Sequence, residues 1–160
     1  MTFGAGAAGE RIGAVRNSRA ELCLYLLAGV IALAGLADSI YLTVQHLTGQ
    51  TVDCIASSGC ETVLGSSYAQ VGKVPLAAFG AAGYFTIFSL ATLAAFDYAG
   101  AKRLFPWMVA MMLAVTLWLL YVQAFVLHAF CDFCLLSASF IGVLSAICFA
   151  LFFLARKVRA

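Results

Sequence analysis

The sequence predicts an all-α membrane protein, a four-transmembrane-helix bundle with a cysteine-bearing outer loop between helices 1 and 2, and three observations carry that prediction. Of the 160 residues 64% are hydrophobic and only 10% are charged, whereas soluble domains are roughly half apolar and a quarter charged. The apolar residues gather into four runs, each long enough to cross a bilayer, which takes about 20 helical residues. Basic residues collect at the breaks that lie on one side of such a bundle.

Residues 1–20 are rich in Gly and Ala, carry Arg11, Arg16 and Arg19, and show no apolar periodicity. They are expected to form a flexible cytoplasmic tail ahead of a membrane domain over 21–156. The first span runs over about 22–46, interrupted by Asp38. Basic residues before it and Ala32-Leu33-Ala34 within it resemble a cleaved leader, but the apolar run continues well past that point. The outer loop, 48–74, is the only long polar segment and holds Asp53, Cys54, Cys60, Glu61 and Ser66. Its length is that of a functional loop, with room for a short helix on the membrane surface.

Pro75 opens a second span over about 75–96, proline being tolerated in a first helical turn. Asp97 to Arg103 forms a short turn with Lys102 and Arg103. The third span, about 104–130, contains no formal charge and has Pro106 near its start. The fourth, about 131–155, follows almost at once and ends in Arg156, Lys157 and Arg159, with 157–160 a short cytoplasmic tail.

Charge then orients the bundle. Arg11, Arg16, Arg19, Lys102, Arg103, Arg156, Lys157 and Arg159 all fall on the side of the termini, and Lys73 falls opposite. The positive-inside rule therefore predicts a multi-pass protein of the inner or plasma membrane with both termini cytoplasmic. The net charge of +2 is small and spread over separate clusters, which argues against nucleic acid as a partner.

Of the six cysteines, Cys54, Cys60, Cys131 and Cys134 meet on the outer face, where disulfides persist. Cys131-Asp132-Phe133-Cys134 is a CxxC at a helix start, and the partial positive charge of a helix N-terminus favours thiolate over thiol. Exchange proceeds by thiolate attack through a mixed disulfide, so electrons can pass from the loop pair to the membrane pair. A dithiol at the bilayer boundary needs a two-electron acceptor that lives in the membrane; a quinone meets that need, and an apolar bundle can supply its pocket.

Other readings of the same residues stay open at this point. The four cysteines can brace the loop of a tetraspan structural or adaptor protein as static disulfides. A zinc site is disfavoured because CxxxxxC is loose for it, so no metal is expected. Cys23, and Cys148 about 21 Å deeper than Cys134 at about 1.5 Å per residue, read as inert packing residues. Asp38 costs roughly 2.5 to 3.5 kcal/mol inside a span and should face a partner or cavity. It reads as a proton relay beside a quinone, as a protonated residue bonded to a neighbouring helix, or as the centre of a proton-coupled carrier. His128 reads as a thiolate stabiliser or an interfacial histidine. Trp107, Trp118, Tyr121 and Phe125 read mainly as lipid-facing or core, with some available to line a quinone site.

The order of the motifs, CxxxxxC after the first span and CxxC opening the last, resembles the vitamin K epoxide reductase family in its bacterial branch. Ala34-Gly35-Leu36, Tyr41-Leu42-Thr43 and Ser66 extend the resemblance over nearly the whole span region. It implies that Cys54 exchanges with an outside partner, that Cys60 attacks the membrane pair at Cys131, and that Cys134 faces a quinone of ubiquinone or menaquinone type. Ser66 would donate a hydrogen bond or organise the pocket. The chain departs from the vertebrate members at Ala138, where they carry a tyrosine, and at Val74-Pro75-Leu76-Ala77, which lacks their pocket asparagine. These departures speak against epoxide reduction and leave quinone reduction open. No fused thioredoxin-like domain follows the spans, so the implied partner is a separate extracytoplasmic thioredoxin-fold protein, oxidised in support of disulfide bond formation.

Overall fold

The computed structural model describes residues 5–49, 59–66, 69–71 and 74–159, with side chains from Arg19 to Arg156 except Glu61 and Val71. Cys54 and Lys73 lie outside the described residues. The elements are α1 (Ala5–Thr48), α2 (Cys60–Leu64), β1 (Gln70–Val71), β2 (Val74–Pro75), α3 (Leu76–Ala95), α4 (Ala99–Tyr121), a π-helical end Val122–Leu127, and α5 (Asp132–Arg159). Four of these are long and apolar enough to cross a membrane: Arg19–Thr48, Leu76–Ala95, Ala99–Leu127 and Asp132–Arg156.

Two boundaries differ from expectation. The stretch before Leu22 is helical from Ala5, in place of a tail without regular structure. Alanine, glutamate and arginine are strong helix formers, and a helix already nucleated by a span propagates cheaply into them. The third span begins at Ala99 instead of Leu104, which puts Pro106 inside α4. The start is set by the turn before it: Asp97 takes a left-handed φ of 66°, and its N–H and that of Tyr98 reach back to Ala94 O and Leu93 O at 3.0 and 3.1 Å. That is a Schellman closure with aspartate in the glycine position. It delivers Lys102 to Asp97 at 2.6 Å and to Glu21 of α1 at 2.8 Å. The hydrogen bond from Lys102 holds the Asp97 carboxyl below its usual range.

The helices form a ring in which α1 and α4 each pack against both α3 and α5. On α1 the buried positions Tyr25, Ala28, Ala32, Gly35, Ser39 and Leu42 recur at alternating spacings of three and four, the pattern of a seam that crosses its neighbour at about 20°. Small residues bring the backbones close, as membrane helices require in the absence of a hydrophobic drive between them. At Gly35 the approach is tightest: a Cβ there would collide with the ring of Tyr84 on α3. Tyr84 is fully buried, and its hydroxyl ties α3 to α5 by bonding Ser137 O at 2.9 Å and Ser137 Oγ at 2.8 Å. The outside of the ring is apolar instead of polar, with Leu26, Val30, Met111 and Phe149 all exposed, which suits lipid as the solvent. Trp107, Trp118, Tyr121 and Phe125 lie on that outer surface. Cys23 is exposed on it as well, while Cys148 packs against the core.

Candidate active site

The end of the bundle remote from Lys102 is closed by the loop after α1 and the turn between α4 and α5. That turn is built by Gln123. The π-helical end of α4 stops at His128, which takes a left-handed φ of 49° and, with Ala129, donates its N–H to the Gln123 carbonyl. The His128 side chain is exposed, so its resolved part in the turn is a backbone one. The Gln123 side chain, 2% exposed, reaches across the turn, and its Oε1 accepts the Cys131 N–H at 3.2 Å. π-Helical turns within α-helices often mark functional sites, and here the extra residue brings Gln123 under the dithiol.

Cys131 is the N-cap of α5. Its carbonyl accepts the Leu135 N–H at 3.0 Å, and the Phe133 and Cys134 N–H groups donate to its sulfur. The Cys131 thiol is lowered from 9.0 to about 7, first because the Cys134 thiol donates a hydrogen bond to it. Burial and the Asp132 charge oppose the shift; the two backbone donors at the helix start add to it. Cys131 and Cys134 are both free thiols, whereas Cys60 is disulfide-bonded.

Cys60 opens α2, is 1% exposed, and joins Val63 and the fully buried Cys131 in one cluster, with Leu127, Phe133 and Cys134 packed around it. Gly59 permits this approach, because a Cβ there would overlap the Phe130 carbonyl oxygen. Loop and turn thus meet backbone to backbone, and the loop cysteine and the helix-cap cysteine share one buried cluster.

Below the pair, a cavity of about 550 Å³ opens between the four long helices and the loop. Its wall is mostly apolar, from residues such as Leu42, Leu76, Phe79, Met112 and Leu120, and includes Cys134, Asp38 and Ser66. Three sequence-predicted residues are therefore brought together that lie on α1, on the loop and on α5. The Ser66 hydroxyl is already committed to Val63 O at 2.7 Å, where it caps α2. Asp38 is different, since its Oδ2 is buried without a hydrogen-bond partner among the described residues. Among the described residues no His, Cys, Asp or Glu cluster is placed for a metal. Ala138 also lines the cavity.

Size, apolar walls and a few convergent polar groups suit a small apolar ligand with polar ends, such as a quinone. The Asp38 oxygen supplies a polar contact that the described residues leave unused. Sequence reading passed over Gln123; the available signal was a lone amide in an otherwise apolar span, with no partner identifiable along the chain.

Fold and site together define a class: a four-helix integral membrane protein carrying a reactive dithiol beside an internal cavity. Residues 26–152 match the model of the vitamin K epoxide reductase family, and the chain belongs to that family. It is accordingly a membrane thiol oxidoreductase, of a family whose electron partner is a quinone.

Proposed function

We propose that this protein oxidises an extracytoplasmic thioredoxin-fold protein and passes two electrons to a membrane quinone of ubiquinone or menaquinone type, supporting disulfide bond formation. One observation carries the reading: Cys60 and Cys131 belong to one buried cluster, and Cys134, packed against that cluster, forms part of the cavity wall. Loop cysteine, helix-cap cysteine and cavity thus adjoin in the order that exchange requires.

In this reading the partner's dithiol reduces the Cys54–Cys60 disulfide and leaves oxidised. The Cys60 thiolate then attacks Cys131 of the Cys131–Cys134 disulfide, forming a Cys60–Cys131 bond and releasing Cys134 as thiolate. Cys54 attacks Cys60, restoring the loop disulfide and freeing Cys131. When bound, a quinone supplies a two-electron, two-proton acceptor. Cys131 and Cys134 close their disulfide again, giving up two electrons and two protons. Asp38 holds a proton at Oδ2 on the cavity wall, and the apolar lining excludes water that would compete for it. Arg103 and Arg156 lie at the end of the bundle opposite the dithiol, as does Lys102 with its partners. That end is read as cytoplasmic and the cysteine end as outer.

The test is quinone reduction by a dithiol with purified protein. Cys134→Ser should fall to background, and undiminished turnover in that variant would sink the mechanism. Asp38→Asn should slow quinone reduction while leaving Cys60–Cys131 exchange intact. Rates unchanged across pH would remove the proton role from Asp38.

A further inference from the structure

We propose that Gln123 is a positioning residue for the dithiol, its side-chain amide clamped by the Cys131 N–H so that its own N–H groups hold the Cys134 sulfur as a thiolate. The inference rests on the exchange reading above and assigns a role to a residue that neither the motif nor the cavity chemistry singled out.

A primary amide has one accepting and one donating end. A backbone N–H can bond only the accepting end, so the 3.2 Å contact from Cys131 N–H to Oε1 settles which way the amide faces. Its NH2 group is then the end left for Cys134, which lines the same cavity wall as Gln123. The clamp is rigid, because the same residue's carbonyl takes the N–H groups of His128 and Ala129 that close the turn. Gln123 is almost fully buried, so no water replaces its donors.

The need for such a donor follows from the exchange step. When Cys60 attacks Cys131, the Cys131–Cys134 bond breaks and its electron pair leaves on Cys134, facing an apolar cavity. Cys131 is by then tied into the mixed disulfide and cannot share a proton. Three hydroxyls on the wall already donate elsewhere: Ser66 to Val63 O, Thr116 to Met112 O at 2.8 Å, and Tyr84 to Ser137. A preorganised amide donor stabilises the charge where it develops and needs no rearrangement to do so.

The test compares Gln123→Met, which keeps the length and removes the donors, with Gln123→Glu, which keeps an acceptor for the Cys131 N–H but presents oxygen to the sulfur. Full-length protein in detergent is assayed with dithiothreitol as donor and a short-tailed benzoquinone as acceptor. Both variants should lose at least about tenfold in kcat, with KM within about twofold of wild type. In a Cys131→Ala background, which retains the clamping N–H, iodoacetamide should modify Cys134 at least about tenfold more slowly at one fixed pH in either variant. Trapping of the Cys60–Cys131 mixed disulfide in a Cys134→Ser background should be unchanged. Wild-type alkylation of Cys134 in both variants would overturn the proposal, and so would an equal slowing of mixed-disulfide trapping, which would reduce Gln123 to a brace of the turn. If wild-type protein failed to reduce the quinone, the exchange reading would fall, while the alkylation arm would still report on Gln123.

Discussion

Replacing Cys134 by alanine removes the leading cause of the low Cys131 thiol, and the structure sets the size of the effect. The hydrogen bond from Cys134 is the largest cause favouring the Cys131 thiolate, and a hydrogen bond to a charged group contributes about 1.5 to 3 kcal/mol. Without the Cys134 donor, burial of a fully enclosed sulfur is opposed only by the Phe133 and residue-134 backbone N–H groups. The midpoint for thiolate formation should therefore climb to 9.0 or above. Cys134→Ser, which restores a hydroxyl donor, should fall between the two. Ultraviolet thiolate absorbance followed against pH reads this directly, with the Cys131→Ala/Cys134→Ala double variant as the baseline. The sign is that of a lowered acid: the thiolate and the stability it contributes are fully present above 9.0 and are lost as pH falls through about 7. Exchange at Cys131 should weaken over the same range. A midpoint that stayed near 7 in Cys134→Ala would refute the reasoning, since the helix start alone would then account for the shift.

Two further substitutions probe the packing that brings the sulfurs together. Gly59→Ala places a methyl on the Phe130 carbonyl and should push the loop off the turn. Cys60–Cys131 mixed-disulfide trapping should slow by at least about tenfold, since small misplacements of reacting groups cost about that or more, while Cys134 alkylation in the reduced protein stays as in wild type. Gly35→Ala drives a Cβ into the Tyr84 ring and should cost about 1 to 3 kcal/mol, the usual penalty of overpacking, seen as earlier thermal unfolding in detergent. Tyr84→Leu in the same chain should recover part of that loss.

Much of the fold was legible along the chain because hydropathy and charge are local properties. The four runs mark four spans whatever surrounds them, and Asp132 falls at the helix start that the break before Phe133 implies. The differences arise where a neighbour takes part. The early start of α4 depends on Lys102 finding Asp97 and Glu21, two partners on different elements. The helical run from Ala5 depends on propagation from the span into residues that would not fold alone.

The sequence by itself determined that Cys60, Cys131 and Cys134 share one end of a four-span bundle, because alternating spans and clustered arginines leave that arrangement as the economical one. Only the tertiary structure decided that Cys60 and Cys131 share one buried cluster, that Cys134 and Asp38 share a cavity wall, and that Gln123 accepts the Cys131 N–H. The reason is rotational. An apolar helix shows its length in its composition, but the face it turns to its neighbours is set by close contacts such as Gly35 under Tyr84, and those exist only once the helices have packed.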